Sequence, residues 1–186
     1  MIPIYEQGTG NGIGHGLESF LGRFDSICAE HLVAGRARAF AFIFYDFTDN
    51  ELRKILKNQG VFAKMDRLSG NSLSIFYLHR GTKHAVEKFN ETFLAALGVE
   101  GQAFPPCVVF FRAHEGEIED IEIAQLDNAD LIHGFSELYG AVERYIDAQP
   151  RSTSESSVVK WLTGGSKFIG VELFRAALKK ALELGL

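Results

Sequence analysis

Cysteine is scarce in this chain, and the spacing that would give it chemistry is missing. The two thiols, Cys28 and Cys107, form no Cys-x-x-Cys pair. Dithiol-disulfide exchange by a helix-terminal motif is therefore excluded, because that chemistry needs two thiols one helical turn apart. The histidines His15, His31, His79, His84, His114 and His133 contain no His-x-x-His or His-Glu-x-x-His spacing. No metal and no cofactor are expected. Long apolar runs are lacking too: none reaches the ~18 residues that a membrane-spanning helix needs. The opening MIPIYE has no signal-peptide pattern, so the expectation is a soluble cytoplasmic protein with reduced thiols.

A basic stripe is also lacking. Residues 151–186 carry six Lys/Arg against three Asp/Glu, a net +3, whereas residues 1–150 carry thirteen against twenty-one, a net −8. An acidic body offers no phosphate-neutralising surface, so nucleic acid is not an expected partner. Gly8, Gly10, Gly12, Gly14 and Gly16 fall at every second position, yet they match neither G-x-G-x-x-G nor G-x-x-x-x-G-K-[ST]. An entry loop is the plain reading, and a backbone anion nest beside His15 is its alternative.

What the chain has in quantity is phenylalanine, sixteen of them within a 46% hydrophobic composition. That suffices for a sheet covered on both faces. In residues 17–35, Leu17, Phe20, Leu21, Phe24, Ile27, Cys28 and Leu32 recur at helical spacing. Residues 39–47, AFAFIFYDF, are apolar on both alternating faces and predict a central strand. Thr48 and Glu51 read as a capping box that starts a helix, with Leu52, Ile55 and Leu56 on its inner face and a further helical piece to Leu68. Residues 73–79 predict a second buried strand, and Val86, Phe89, Phe93, Leu94 and Leu97 a helix ending at Gly98.

After Pro105 and Pro106, residues 107–113 and 118–126 read as a hairpin turning at 114–117. Leu131, Phe135, Leu138, Val142, Tyr145 and Ile146 mark a closing helix. Residues 148–157 are a Pro/Ser-rich linker, and residues 158–186 read as an amphipathic helical tail with Val171, Phe174 and Leu178 on one stripe.

This order, βαβαβαββα over residues 1–147 with Pro106 leading into the hairpin, resembles the thioredoxin fold, a three-layer α/β/α sandwich. The resemblance implies a cis Pro106 and a groove formed by Pro106, Cys107 and Thr48. In the family's redox members a dithiol opens the helix after the central strand; here Thr48 and Glu51 stand in that place. Matching Asp46-Phe47 to the Asp-Phe of thioredoxin puts Leu52 and Ile55 at the two thiol positions. The resemblance is thus to a redox-inactive member.

Cys107 and Asp46 remain as catalytic candidates. Cys107 follows two prolines and opens an apolar strand, which suits a small buried hydrophobe better than a reactive thiol, and Cys28 lies on an apolar helical stripe. Asp46 at a strand end is either a buried general base or a carboxylate bonding the next turn. The leading expectation is a non-catalytic protein-binding or adaptor module. It would act through the groove, through Trp161, Phe168, Phe174 and Leu178 of the tail, or both, on a protein partner or a second copy. The alternatives are a single-cysteine or glutathione-dependent oxidoreductase using Cys107, and a membrane-surface regulator acting through the basic tail. No small-molecule ligand is specified.

Overall fold

The structure, a computed structural model, describes residues 1–5, 15–16, 22, 26, 38–70, 73–79, 81–114, 117–126, 131–147, 160–163, 169–170, 174 and 176. The fold is mixed α/β. Its strands are β1 (Ile2–Tyr5), β2 (His15–Gly16), β3 (Arg38–Phe44), β4 (Leu73–His79), β5 (Cys107–His114), β6 (Glu117–Gln125), β7 (Lys160–Thr163) and β8 (Ile169–Gly170). The helices are α1 (Asn50–Lys57), α2 (Gln59–Ser69), α3 (Lys83–Ala96) and α4 (Leu131–Ile146). The sheet runs β2-β1-β4-β3-β5-β6-β7, with β8 also paired to β6. The pairs β2–β1, β1–β4 and β4–β3 are parallel, and β5, β6 and β7 continue the sheet antiparallel.

The middle of the sheet follows from the phenylalanine pattern. Phe40, Ala41, Phe42, Ile43 and Phe44 of β3 are all fully buried, so both faces of the strand are covered. On one face Phe42 stacks on Phe111 at 5.8 Å and 8°, and on Phe76 at 5.4 Å, while Phe93 of α3 closes over it at 5.1 Å. On the other face Phe110 stacks on Tyr145 of α4 at 4.4 Å, and Tyr77 meets Phe62 of α2 edge-on at 5.5 Å. Each such ring contributes about 1.5–3 kcal/mol by leaving water, plus the aromatic geometry.

Helix termini carry their own signals. The first helix starts one residue later than the Thr48 capping box predicts: Asp49 is its N-cap, accepting from Leu52 N at 3.1 Å. A carboxylate serves that position as well as a hydroxyl, and Thr48 is left in the preceding turn with its side chain exposed. Asn58 separates α1 from α2; its N–H bonds Ile55 O at 3.0 Å and its Oδ1 accepts from Gly60 N at 2.8 Å. Gly98 ends α3 at φ 66, with Val99 N donating to Leu94 O at 3.0 Å, a turn that a side chain would strain.

The carboxy-terminal segment departs from the helical expectation. Lys160–Thr163 is a strand in antiparallel register with β6, with Trp161 opposite Ala124, and Ile169–Gly170 pairs with Ile118 and Glu117. The reason is the open edge of β6, whose unpaired backbone groups take up a following extended segment. Phe174 is likewise fully buried against Phe111 rather than on a free face. The linker 148–157, Cys28 with nearly all of the first predicted helix, residues 8–14 of the glycine loop, Phe168 and Leu178 lie outside the described residues, whereas His15–Gly16, read as the end of that loop, form β2. No helix among the described residues is long and apolar enough to cross a membrane.

Candidate functional site

The candidate site lies where the carboxyl ends of β3 and β4 meet the start of β5, the edge of an α/β sheet where ligands generally bind. Because β5 is antiparallel to β3, the end of one faces the beginning of the other, and Phe44 pairs with Cys107. The segment leading into β5 is thereby held against the strand end. Its Pro105–Pro106 bond is cis, as the resemblance implies.

One side chain from β6 clamps that segment. Gln125, in register opposite Cys107, donates from Nε2 to Phe104 O and, at 2.9 Å, to Pro106 O. Its Oε1 accepts from Phe104 N at 3.3 Å, and Leu126 N donates to Pro106 O at 3.0 Å. With its backbone so fixed, Phe104 presents a ring that is 61% exposed, the one large apolar side chain so exposed among the described residues. Sequence reasoning missed both residues: Gln125 reads as an ordinary polar position on an alternating strand, and Phe104 as loop.

Cys107 has no solvent access, and burial, then the negative charge of Asp46, push its thiol up to about 12. At neutral pH it is held as the thiol, whereas the thiolate is the nucleophilic form. Asp46 is not the buried carboxylate of one sequence reading. β3 ends at Phe44, so Asp46 stands beyond the sheet with its side chain exposed, while its carbonyl accepts from Asp49 N at 2.9 Å. The structure brings Asp46, Thr48, Pro106 and Cys107 to one edge, with only Pro106 half-buried and Cys107 sealed beneath.

Next to this edge is a shallow cleft of about 190 Å³, counting the part open to solvent, lined by Tyr45, Arg53, Leu56, Lys57, Tyr77, Leu78 and His79. Tyr45 Oη donates to Leu78 O at 2.8 Å, and Asn90 of α3 donates to Tyr45 O at 3.0 Å, fixing the strand end from both sides. Burial pushes the Tyr45 hydroxyl up to about 12, against an opposing pull from the Arg53 charge. Arg53 Cζ lies over the Phe47 ring, 4.3 Å from its centroid, with Nη1 donating to Phe47 O at 2.9 Å. Tyr77 Oη bonds Leu56 O at 3.3 Å and His79 Nδ1 at 3.2 Å. Among the described residues no group of three or more His, Cys, Asp or Glu side chains converges as a metal site would require. No protein-family model matches the chain, and no curated protein matches it.

Proposed function

We propose that this chain is a cytoplasmic, thioredoxin-like domain without dithiol chemistry that works as a protein-binding module through the Phe104–Pro106 edge. The observation that carries the reading is Phe104: a 61% exposed aromatic ring whose backbone is fixed on both sides by Gln125. Exposed aromatics on rigid backbone are the residues that anchor protein interfaces, since little entropy is lost when they are buried by a partner. The sheet order β1-β4-β3-β5-β6 and the prolyl step into β5 support the thioredoxin likeness. The buried, protonated Cys107 weighs against the oxidoreductase alternative. Phe174 is buried in the core, so the reading rests on this edge and not on that side chain.

The test is selection of displayed peptides on the purified chain and on Phe104→Ser, with folding of both checked by circular dichroism. Enrichment of a common sequence motif on the native chain, lost in Phe104→Ser, supports the reading. Equal enrichment on both proteins sinks it.

A further inference from the structure

We propose that the cleft between α1 and the carboxyl ends of β3 and β4 binds a small oxyanion, the phosphate or carboxylate group of a soluble small molecule. The proposal is independent of the Phe104 edge. Its starting point is charge: among the described residues the cleft is lined by Arg53, Lys57 and His79 with Tyr45 and Tyr77, and by no Asp or Glu. This cationic spot sits in a body, residues 1–150, of net charge −8. Neither Arg53 nor Lys57 forms an ion pair among the described residues, whereas Lys54, on the same helix, is paired with Glu51 at 2.7 Å.

Arg53 is also set in place before any ligand arrives. The cation–π contact with Phe47 and the bond to Phe47 O hold the guanidinium in place, and that bond engages one of its five N–H donors. A fixed planar fork is the geometry that meets carboxylate and phosphate oxygens, and ordering it in advance removes an entropic cost of binding. Its charge reaches the cleft floor, as its effect on the Tyr45 hydroxyl shows. Lys57, one turn further along α1, adds a mobile ammonium from the exposed side. The Tyr77 hydroxyl, held between Leu56 O and His79 Nδ1, fixes the imidazole at the back.

Size limits the ligand. The cleft's roughly 190 Å³ includes open solvent, and the space that a water-sized group can occupy is only about 10 Å³, far below the roughly 300–1,000 Å³ of sites that enclose drug-sized molecules. It suits one oxyanion group, with the rest of the ligand in solvent, and not a whole nucleotide.

The experiment is an NMR amide titration of the full chain with sodium phosphate, sodium acetate and sodium chloride, at constant ionic strength and pH. Expected are saturable shifts at Tyr45, Arg53, Lys57 and His79 with phosphate or acetate and none with chloride; the tighter of the two names the oxyanion class. Lys57→Gln, on an exposed side chain, should weaken that binding about tenfold with the spectrum otherwise unchanged, and Arg53→Gln by more. Shifts that are linear or the same with chloride, or a Lys57→Gln/Arg53→Gln double variant that stays folded and binds like the native chain, would overturn the proposal.

Discussion

Phe174 meets Phe111 edge-on, ring centroids 5.9 Å apart at 61°, with none of its surface left to solvent. A residue near the carboxyl end thus completes the face of the sheet on which Phe42 and Phe93 also pack. Phe174→Ala should therefore destabilise the whole domain by about 3–5 kcal/mol, the range for emptying a buried phenylalanine site. Urea unfolding followed by circular dichroism reads this directly. An unchanged midpoint would mean that the segment contributes nothing to the core.

Tyr45 closes the end of β3 through its bond to Leu78 O. Tyr45→Phe keeps the ring and removes the side-chain donor to the buried Leu78 carbonyl. The expected loss is about 1–3 kcal/mol by denaturant titration at neutral pH. A loss below a few tenths would show that water replaces the hydroxyl.

Alkaline stability offers a check on burial. The folded-state pKa of Cys107 is raised from 9.0 to about 12, and those of Tyr45 and Tyr145 from 10.0 to about 12, each chiefly by burial. The unfolded chain therefore releases these protons first, so the stabilisation they carry is complete below pH 9 and is lost as pH rises toward 12. Each group steepens the fall by up to roughly 1.4 kcal/mol per pH unit. Cys107→Ala should flatten the profile most between pH 9 and 10, where the unfolded thiol, with its lower pKa, releases more of its proton than the unfolded tyrosines do. In the same pH range, native Cys107 should resist alkylation that the unfolded chain undergoes readily.

Tyr145 Oη is buried with no hydrogen-bond partner of good geometry among the described residues, although the Arg112 side chain is near enough to pull its pKa down, against burial, by hydrogen bonding and by charge. Removing an unpaired buried hydroxyl while keeping the stack on Phe110 should leave stability the same or raise it by up to about 1 kcal/mol in Tyr145→Phe. A clear loss would show that Arg112 or a water satisfies the hydroxyl.

Gln125→Ala separates the clamp from the ring it presents. It should release the Phe104 backbone and lower stability by about 1–3 kcal/mol, whereas Phe104→Ser, at an exposed position, should change stability by no more than about 0.5 kcal/mol. Paired thermal melts of the two variants check the contrast.

Elements with long, one-sided or two-sided apolar patterns were legible from the residues alone. Phe40, Phe42 and Phe44 on one face and Ala41 and Ile43 on the other announce a strand buried on both faces, and Val86, Phe89 and Phe93 announce the helix that covers it, because periodicity is a local property of the chain. The helix start was displaced by one residue because Thr48 and Asp49 are both good caps, and only the path of the chain out of β3 chooses between them. At the candidate site, Cys107 was read correctly as a buried hydrophobe from its neighbours, but Asp46 was not locatable, since its exposure depends on where β3 stops.

By itself, then, the sequence determined the alternation of strands and helices, the aromatic core and the lack of a Cys-x-x-Cys motif, all consequences of residue type and spacing within single segments. Tertiary structure alone decided the rest. Gln125 reaches Phe104 because two antiparallel pairings bring residues some twenty positions apart to one edge. Arg53, Tyr45 and His79 share a cleft because parallel crossovers stack a helix on two strand ends. Phe174, which in a helical pattern looks like a free apolar face, is buried because the edge of β6 and the ring of Phe111 offer backbone and apolar partners that no local pattern contains.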